Sequence, residues 1–191
     1  LHVNKGDKIA LVGPNHLAKT VLFQILAGEI VPEKGSFEWG VTITSSYYPK
    51  ENSAYFDTDY NLTEWLSQYS SDADETYIRS FLGRMLFSGE DGLKSARVLS
   101  GGEKVRCMMA KIMQEGANVL IFDEPTSHLD LEAITALNDG LIEFPEVIFM
   151  TSHDHQFIDT IANRILDFTP TGIIDKYMRF DDYLKSDEVK D

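Results

Sequence analysis

The chain has 191 residues, of which 43% are hydrophobic, and 17 basic against 31 acidic residues give it a formal net charge of −14. This length predicts one large domain, or a core domain with a subdomain, of ordinary globular composition. So acidic a surface repels phosphate backbones and disfavours a broad nucleic-acid-binding face, although a local basic patch stays open. No apolar run reaches the roughly 18 residues of a membrane-spanning helix, so we expect no membrane insertion.

The first residues and the cysteine content bear on whether the chain is part of a longer protein and on its redox environment. It opens on Leu1-His2-Val3 with no Met and no signal-peptide pattern, which suggests the middle of a strand and an excised piece of a longer chain. The single cysteine, Cys107, has no partner for an internal disulfide, which fits a reducing cytoplasm. The charged tail from Ser186 is expected to fray.

Alternating apolar runs and amphipathic segments predict the elements in chain order. The opening strand–loop–helix pattern is that of a βα unit, with Lys8–Val12 as strand, 13–18 as loop and 19–27 as helix. Residues 37–48 favour one or two strands, and 60–116 favour helices with a polar break at 88–95. Alternation then continues, with strands at 118–123, 147–151 and 164–168 and helices at 131–141 and 154–162. Apolar strands between helices predict a mostly parallel, covered sheet.

The loop after the first strand nearly matches G-x-x-x-x-G-K-[ST], in which backbone N–H groups at a helix N-terminus cradle phosphate. Its residues are Gly13, Pro14, Asn15, His16, Leu17, Ala18, Lys19 and Thr20. We expect Lys19 to reach the β- and γ-phosphates and the Thr20 hydroxyl to ligate Mg²⁺. Ala18 replaces the second glycine, which costs about 1 kcal/mol or more if that position needs a positive φ. An ordinary strand–helix turn with a chance Lys-Thr remains the alternative.

A second motif, Leu99-Ser100-Gly101-Gly102-Glu103, opens an amphipathic helix. Ser100 followed three residues later by Glu103 forms a capping box, so a capped core helix is one interpretation. It leaves the paired glycines unexplained, because each lowers helix propensity in a first turn. The other interpretation is a backbone that closely approaches an anion at the positive end of the helix.

Polar residues follow two further apolar strands. In Val119-Leu120-Ile121-Phe122-Asp123-Glu124-Pro125, Asp123 is placed to hold Mg²⁺ and Glu124 to polarise an attacking water; solvated acids at a strand end are the alternative. Asp130, in Thr126-Ser127-His128-Leu129-Asp130, is equally a helix N-cap. His153, in Thr151-Ser152-His153-Asp154, is either a hydrogen-bonding partner of a γ-phosphate and the water or a structural residue.

In order and spacing, these motifs resemble those of the ATP-binding-cassette (ABC) ATPases. Gly13–Thr20 resembles the Walker A loop, Leu99–Glu103 the family signature, and Val119–Glu124 the Walker B strand with its catalytic glutamate. Ser127–Asp130 resembles the D-loop and His153 the switch histidine. The resemblance implies an α/β fold of the P-loop NTPase type, with a mostly parallel sheet flanked by helices and an inserted α-helical subdomain. It also implies ATP and Mg²⁺ as ligands.

The resemblance also implies a domain plan: one nucleotide-binding domain over residues 1–191, with the helical subdomain at about 60–116. Three segments resemble the ABC-F branch in particular: Glu103–Arg106, Thr126–Asp130 and Phe180–Leu184. ABC-F proteins carry two cassettes in one chain, lack membrane spans and act on the ribosome in translation or antibiotic protection. The expectation is therefore a second, C-terminal cassette, in the cytoplasm, whose partners are another cassette and the ribosome.

Three positions depart from the family pattern. His16 and Ala18 stand where glycines are usual, and Lys50 stands where the family has the glutamine of its Q-loop. A lysine there is unfavourable beside a metal but can meet a phosphate instead. The aromatic residue that stacks on adenine is expected upstream of Lys8 and outside this chain.

The family mechanism implies three hypotheses. Two domains close head to tail around two ATP molecules, so that Ser100, Gly101 and Gly102 contact a γ-phosphate held by the other domain. The leading hypothesis is an ATPase module that hydrolyses ATP through Glu124. The second is a regulatory clamp that binds nucleotide and hydrolyses it slowly, because of Ala18 and Lys50. The third is the ATPase subunit of a membrane transporter, with a groove for a membrane partner.

Overall fold

The computed structural model describes residues 1–71, 74–127 and 129–186, which form an α/β fold around a six-stranded sheet. In chain order the strands are β1 (Lys8–Val12), β2 (Ser45–Tyr48), β3 (Val119–Asp123), β4 (Val147–Thr151), β5 (Arg164–Thr169) and β6 (Gly172–Lys176). Their order across the sheet is β2-β3-β4-β1-β5-β6. All neighbours are parallel except β6, which pairs antiparallel with β5. The predicted mostly parallel sheet is confirmed.

Helices cover both faces of this sheet. They are α1 (His16–Leu26), α2 (Leu62–Ser67), α3 (Glu75–Arg84), α4 (Gly101–Gln114), α5 (Leu131–Glu143), α6 (His155–Ile161) and α7 (Phe180–Lys185). Between β2 and β3 the chain forms α2, α3 and α4, with short 3₁₀ turns at Ser53–Phe56, Asp91–Leu93 and Ala96–Val98. Within the described part of the chain, no helix combines the length and the apolar character that crossing a membrane requires.

Two apolar clusters hold the layers together. Along β1, β3 and β4, successive side chains point to opposite faces of the sheet, so each strand contributes to both clusters. On one face Ile9, Leu11 and Phe149 pack with Phe23 of α1. On the other face the strands pack against the larger cluster, to which α2 through α6 contribute. All five side chains of β3 and of β4 are buried, as expected for parallel strands covered on both sides.

The first helix begins at His16, three residues earlier than the sequence pattern indicates. Asn15 is the reason, because its side-chain Oδ1 accepts the backbone N–H of Ala18 at 3.0 Å and so caps the helix. Ala18 therefore lies inside α1 and is not among the described residues with a positive φ. The conformational cost considered for an alanine at this position does not arise.

Of two strand predictions near the N-terminus, the first was confirmed in part and the second was wrong. Within 37–48 only Ser45–Tyr48 forms a strand, because the chain turns at Gly40, whose carbonyl accepts the N–H of Ile43 at 2.8 Å. Trp39 is occupied elsewhere, since its indole N–H donates to the Leu26 carbonyl at 3.2 Å. Residues 1–3, expected in mid-strand, are also outside any strand.

The antiparallel edge of the sheet is fastened by a buried ion network around Arg164. Its guanidinium donates to both carboxylate oxygens of Asp175 at 2.8 and 2.7 Å, and to Asp7 Oδ2 at 2.7 Å. The Tyr177 hydroxyl accepts a further bond at 2.7 Å. Arg164 and Asp7 are almost fully buried, with 4% and 8% of their side chains exposed. The network joins β5 and β6 to the loop that precedes β1.

Candidate active site

The predicted chemical residues gather at the carboxyl ends of three adjacent strands. β3, β4 and β1 lie side by side in the sheet, so the loops that follow them open on the same edge. Gly13 follows β1, Glu124 follows β3, and His153 lies two residues beyond the end of β4. This edge is where parallel α/β sheets build ligand sites.

Gly13 and Lys19 define the first of these loops. Gly13 has a φ of +101°, and a Cβ there would lie 2.6 Å from the Phe168 carbonyl oxygen and 2.7 Å from Asp167 Oδ1. Lys19, only 6% exposed, points its ammonium back across the loop and donates to the Gly13 carbonyl at 2.9 Å. Burial lowers the pKa of Lys19 below its ordinary value, and the carboxylates of Glu124 and Asp123 oppose that shift.

A chain of hydrogen bonds links α1 to β3 and β4. The Thr20 hydroxyl donates to Asp123 Oδ2 at 2.7 Å, and the Thr151 hydroxyl donates to Asp123 Oδ1 at 2.9 Å. Thr151 Oγ1 in turn accepts the backbone N–H of Glu124 at 3.0 Å. A hydroxyl and a carboxylate held this close offer the hard oxygen atoms that Mg²⁺ prefers. The residues therefore fit a magnesium ion between Thr20 and Asp123.

Glu124 is buried and backbone-strained. Its φ is +52°, a left-handed conformation that costs a non-glycine residue about 1–2 kcal/mol. Only 5% of its side chain is exposed, and Oε2 accepts the backbone N–H of His153 at 3.1 Å. His153 Nε2 lies 3.5 Å from Glu124 Oε1. The hydrogen bond that the Glu124 N–H donates to Thr151 Oγ1 helps to hold this conformation.

Lys50 and the glycine-rich helix start border the same site from another side. Lys50, Gly101, Glu124 and Ser127 are among the residues that line a cavity of about 200 Å³. The Lys50 side chain is exposed there. A lysine ammonium thus lines the same cavity as the Glu124 carboxylate, at the position where the family has a neutral glutamine.

The predicted capping box is present at the start of α4. Ser100 Oγ accepts the Glu103 N–H at 3.3 Å, and Glu103 Oε2 accepts the Ser100 N–H at 2.7 Å. Asp130 caps α5 by accepting the Ala133 N–H at 2.8 Å. A Cβ on Gly102 would lie 3.7 Å from Asp130 Oδ2, so the two loops adjoin. Both caps predicted from the sequence, at Ser100 and at Asp130, are therefore observed. Capping does not exclude a role of these residues in ligand binding.

The remaining predicted residues lie at the margin. Pro14 and Leu17 are exposed, with Leu17 74% exposed. His128 is outside the described residues. Thr151 and Asp167 were not predicted from the sequence as site residues, although Thr151 bonds both Asp123 and the Glu124 N–H, and Asp167 acts electrostatically on Lys19. Both stand at or near strand ends, the position that singled out Asp123.

Gly13→Ala is expected to lower the free energy of unfolding by more than the roughly 1–2 kcal/mol of left-handed strain alone, because the new methyl would strike the Phe168 backbone. Gly28→Ala is the matched control, since its φ is +80° but nothing lies within 4 Å of its Cβ. Urea unfolding of both variants measures the difference. Equal losses would show that the contact with Phe168 has no energetic weight.

Comparison with known proteins identifies the family. The model of the ABC transporter family matches residues 1–127. The ABC transporter ATP-binding protein YkpA of Bacillus subtilis is 58% identical over 98% of this chain and 35% of its own length. The energy-dependent translational throttle protein EttA of Haemophilus influenzae is 35% identical over 95% of this chain and 33% of its own. The chain spans about a third of the length of these curated relatives.

A solved structure has a similar fold. An archaeal ribosome recycling factor, aABCE1, crystallised with the ribosomal stalk protein aP1, superposes with a TM-score of 0.73 at 28% identity. The superposition covers 87% of this chain and 32% of that one. EttA is an ABC-F protein, and the similarity to it is consistent with a nucleotide-binding domain of that branch. The chain belongs to the ABC transporter family and is an ATP-binding cassette of that family.

Proposed function

We propose that residues 1–191 are a single cassette that binds MgATP and hydrolyses it, with a helical subdomain at about 60–116. The observation that carries the proposal is the hydrogen-bonded chain Thr20–Asp123–Thr151–Glu124 beside a buried Lys19. A hydroxyl and a carboxylate for Mg²⁺, an ammonium for phosphate oxygens and a second carboxylate for the base, all at one sheet edge, support the proposal. The family is one that binds ATP with Mg²⁺.

Each side chain has a distinct part in the proposed reaction. The N–H groups at the start of α1 and the Lys19 ammonium bind phosphate oxygens, while Thr20 and Asp123 hold the metal. Mg²⁺, when bound, neutralises charge that develops on the phosphates. Glu124 polarises the attacking water, and His153, whose Nε2 lies 3.5 Å from that carboxylate, hydrogen-bonds the γ-phosphate. The polarised water attacks the γ-phosphorus in line and passes a proton to Glu124, while the bond from that phosphorus to the β–γ bridging oxygen breaks and ADP leaves.

The start of α4 acts on another domain's nucleotide. The N–H groups of Gly101 and Gly102, with the Ser100 hydroxyl, contact a γ-phosphate across a head-to-tail interface, and Asp130 adjoins them there. We propose that this cassette is the second, C-terminal one of an ABC-F protein, works in the cytoplasm and pairs with the other cassette. The names of EttA, a translational throttle, and of aABCE1, a ribosome recycling factor, support the ribosome as the partner of the whole protein.

Nucleotide titration with and without Mg²⁺ tests this function. We expect the wild-type protein to bind ATP more tightly with Mg²⁺, and Thr20→Val to lose that gain because it lacks the hydroxyl that bonds Asp123. Thr135→Val is the control, since the hydroxyl of this exposed threonine on α5 donates to the Leu131 carbonyl, away from Thr20 and Asp123. ATP binding that does not respond to Mg²⁺, or an unchanged Thr20→Val, would contradict the proposal.

Turnover by the dilute chain should be feeble and should rise with protein concentration, because a complete site needs the signature residues of a second domain. The specific ATPase rate across a dilution series measures this. Rapid turnover by a dilute monomeric sample, with no dependence on concentration, would show that the site is complete within one chain.

A second candidate is a regulatory clamp that binds nucleotide but hydrolyses it slowly. One observation favours it: Lys50, in place of the Q-loop glutamine, lines the cavity that also borders Glu124. A cation there competes with the metal and can hold a phosphate in its place. Lys50→Gln speeds hydrolysis if the clamp is correct, and leaves it unchanged or slower if the cassette already turns over normally.

A further inference from the structure

Three side chains converge at the mouth of the site in an arrangement that the proposed reaction does not require. His16 is the first residue of α1, and Glu124 and His153 follow β3 and β4. One ligand atom from each lies within 4.8 Å of those of the other two. The imidazole rings of His16 and His153 have centroids 5.1 Å apart, inclined at 48°. The ABC family usually has a glycine at the position of His16, and a glycine has no side chain that could bind a metal.

The distances are close to those of a metal centre. Zn²⁺ bonds imidazole nitrogen and carboxylate oxygen at about 2.0–2.2 Å in tetrahedral geometry, which puts neighbouring ligand atoms about 3.3–3.5 Å apart. His153 Nε2 and Glu124 Oε1 are already 3.5 Å apart. A ring nitrogen of His16, within 4.8 Å of the other two ligand atoms, completes the triangle after a shift of at most about 1.5 Å. Exposed imidazoles turn easily, and both rings are exposed.

The electrostatics of Glu124 also favour a cation. Its side chain is 95% removed from solvent, and among the described residues its carboxylate has one hydrogen bond from the His153 N–H, the 3.5 Å contact with that ring and the electrostatic attraction of the Lys19 ammonium. A buried carboxylate is stabilised by a cation or by several donors. Two imidazoles and one carboxylate suit Zn²⁺, Cu²⁺, Ni²⁺ or Co²⁺, whereas Mg²⁺ prefers oxygen ligands.

We propose that His16, Glu124 and His153 form a transition-metal site, for Zn²⁺ or a similar dication, separate from the Thr20–Asp123 pair. Solvent or a fourth ligand fills the remaining tetrahedral position. The consequence for turnover rests on the proposed function. A dication held there occupies the carboxylate that polarises water and the imidazole that meets the γ-phosphate. Metal binding and productive MgATP binding therefore exclude each other, and the metal acts as a reversible inhibitor.

Optical titration with Co²⁺ tests the site directly, because four-coordinate Co²⁺ shows an intense visible d–d band that Zn²⁺ should abolish by displacement. We expect one such site in the chelator-treated wild-type protein. His16→Gln and His153→Gln should each weaken Co²⁺ affinity at least about tenfold, since even loss of a residue that supports a ligand costs about 10–100-fold. Both positions are exposed, and a thermal melt confirms folding of each variant.

His155→Gln is the matched control. His155 is another exposed histidine with a carboxylate partner, Asp181 at 2.5 Å, but it is outside the cluster. We expect its substitution to leave the intense band and the affinity unchanged. The proposal is overturned if His16→Gln binds Co²⁺ as the wild type does, or if His155→Gln loses as much affinity as His16→Gln.

Competition with nucleotide tests the exclusion. Added MgATP, with Mg²⁺ in excess, should displace Co²⁺ from the wild type but not from Lys19→Ala, which controls for chelation by free nucleotide. Co²⁺ bound equally well with and without MgATP would overturn the exclusion. ATP binding measured without Co²⁺ separates the two proposals. If it is absent while the cobalt band persists, the proposed function fails alone; if it is present without the band, the metal site fails alone.

Discussion

Glu124→Gln is expected to lower single-turnover ATP hydrolysis by about 10²–10⁴-fold, the usual contribution of a positioned general base. The amide keeps the size of the side chain and its oxygen can still accept the His153 N–H. It cannot accept a proton from a water molecule, as the carboxylate does. Nucleotide binding should persist, because Lys19, Thr20 and Asp123 are unchanged. The measurement is quenched-flow hydrolysis in the two-cassette protein in which we propose that this domain works.

The control for this prediction is Glu143→Gln, an exposed glutamate at the end of α5 that loses the same charge away from the site. A large rate loss in Glu124→Gln alone would exclude the slow regulatory clamp as the main function. If the two variants hydrolyse ATP equally fast while both bind it, Glu124 is not the base.

Arg164→Ala is expected to lower the free energy of unfolding by about 3–5 kcal/mol, the cost of breaking a buried ion pair from one side. It leaves Asp7, 8% exposed, without its cation and removes both bonds to Asp175. The variant should unfold at a clearly lower denaturant concentration. Arg179→Ala is the matched control: its guanidinium, 62% exposed, pairs with Asp159, which is 11% exposed, and we expect a smaller loss because the cation of this pair stays in contact with solvent.

The same network predicts a pH dependence. The hydrogen bond from Arg164 lowers the pKa of Asp175 below its ordinary value, so its contribution to stability is present above the unfolded-state pKa of about 3.9. That contribution is lost as the pH falls through the lower folded-state pKa. Arg164→Ala should therefore lose less stability than the wild type on acidification below about pH 4. If the free energy of unfolding falls equally in the two proteins on acidification, the bond from Arg164 does not stabilise the charged form of Asp175.

Sequence patterns located the strands that carry the site, and the physical reason is continuous burial. β1 and β4 have the predicted bounds, and β3 differs by one residue, because each is an apolar run that ends at glycine or polar residues. Local capping chemistry was equally readable, since Ser100 with Glu103 and Asp130 lie within three residues of the N–H groups they accept. The prediction of one or two strands within 37–48 was confirmed only for Ser45–Tyr48, because aromatic and β-branched residues serve packing as well as strand pairing.

Edge elements were harder to predict. β6 and α7 have weak local signals, and β6 is placed by its antiparallel register with β5 and by the bond of Asp175 to Arg164, eleven residues earlier. The hydrophobic pattern of a segment does not reveal which strand it pairs with or which distant side chain it bonds. The start of α1 was missed for a related reason, since the capping acceptor Asn15 lies within the predicted phosphate-binding loop and was assigned to it.

The sequence by itself determined the family motifs and their order, because those depend on residue types at fixed spacing along one chain. Tertiary structure decided what the motifs do to one another. Parallel pairing of β3 with β4 places Thr151 between Asp123 and Glu124, and the left-handed backbone at Glu124 turns its carboxylate toward His153. Position 16 appeared in the sequence only as a missing glycine. The fold makes His16 a third potential metal ligand, because segments more than 100 residues apart in the sequence meet at one edge of the sheet.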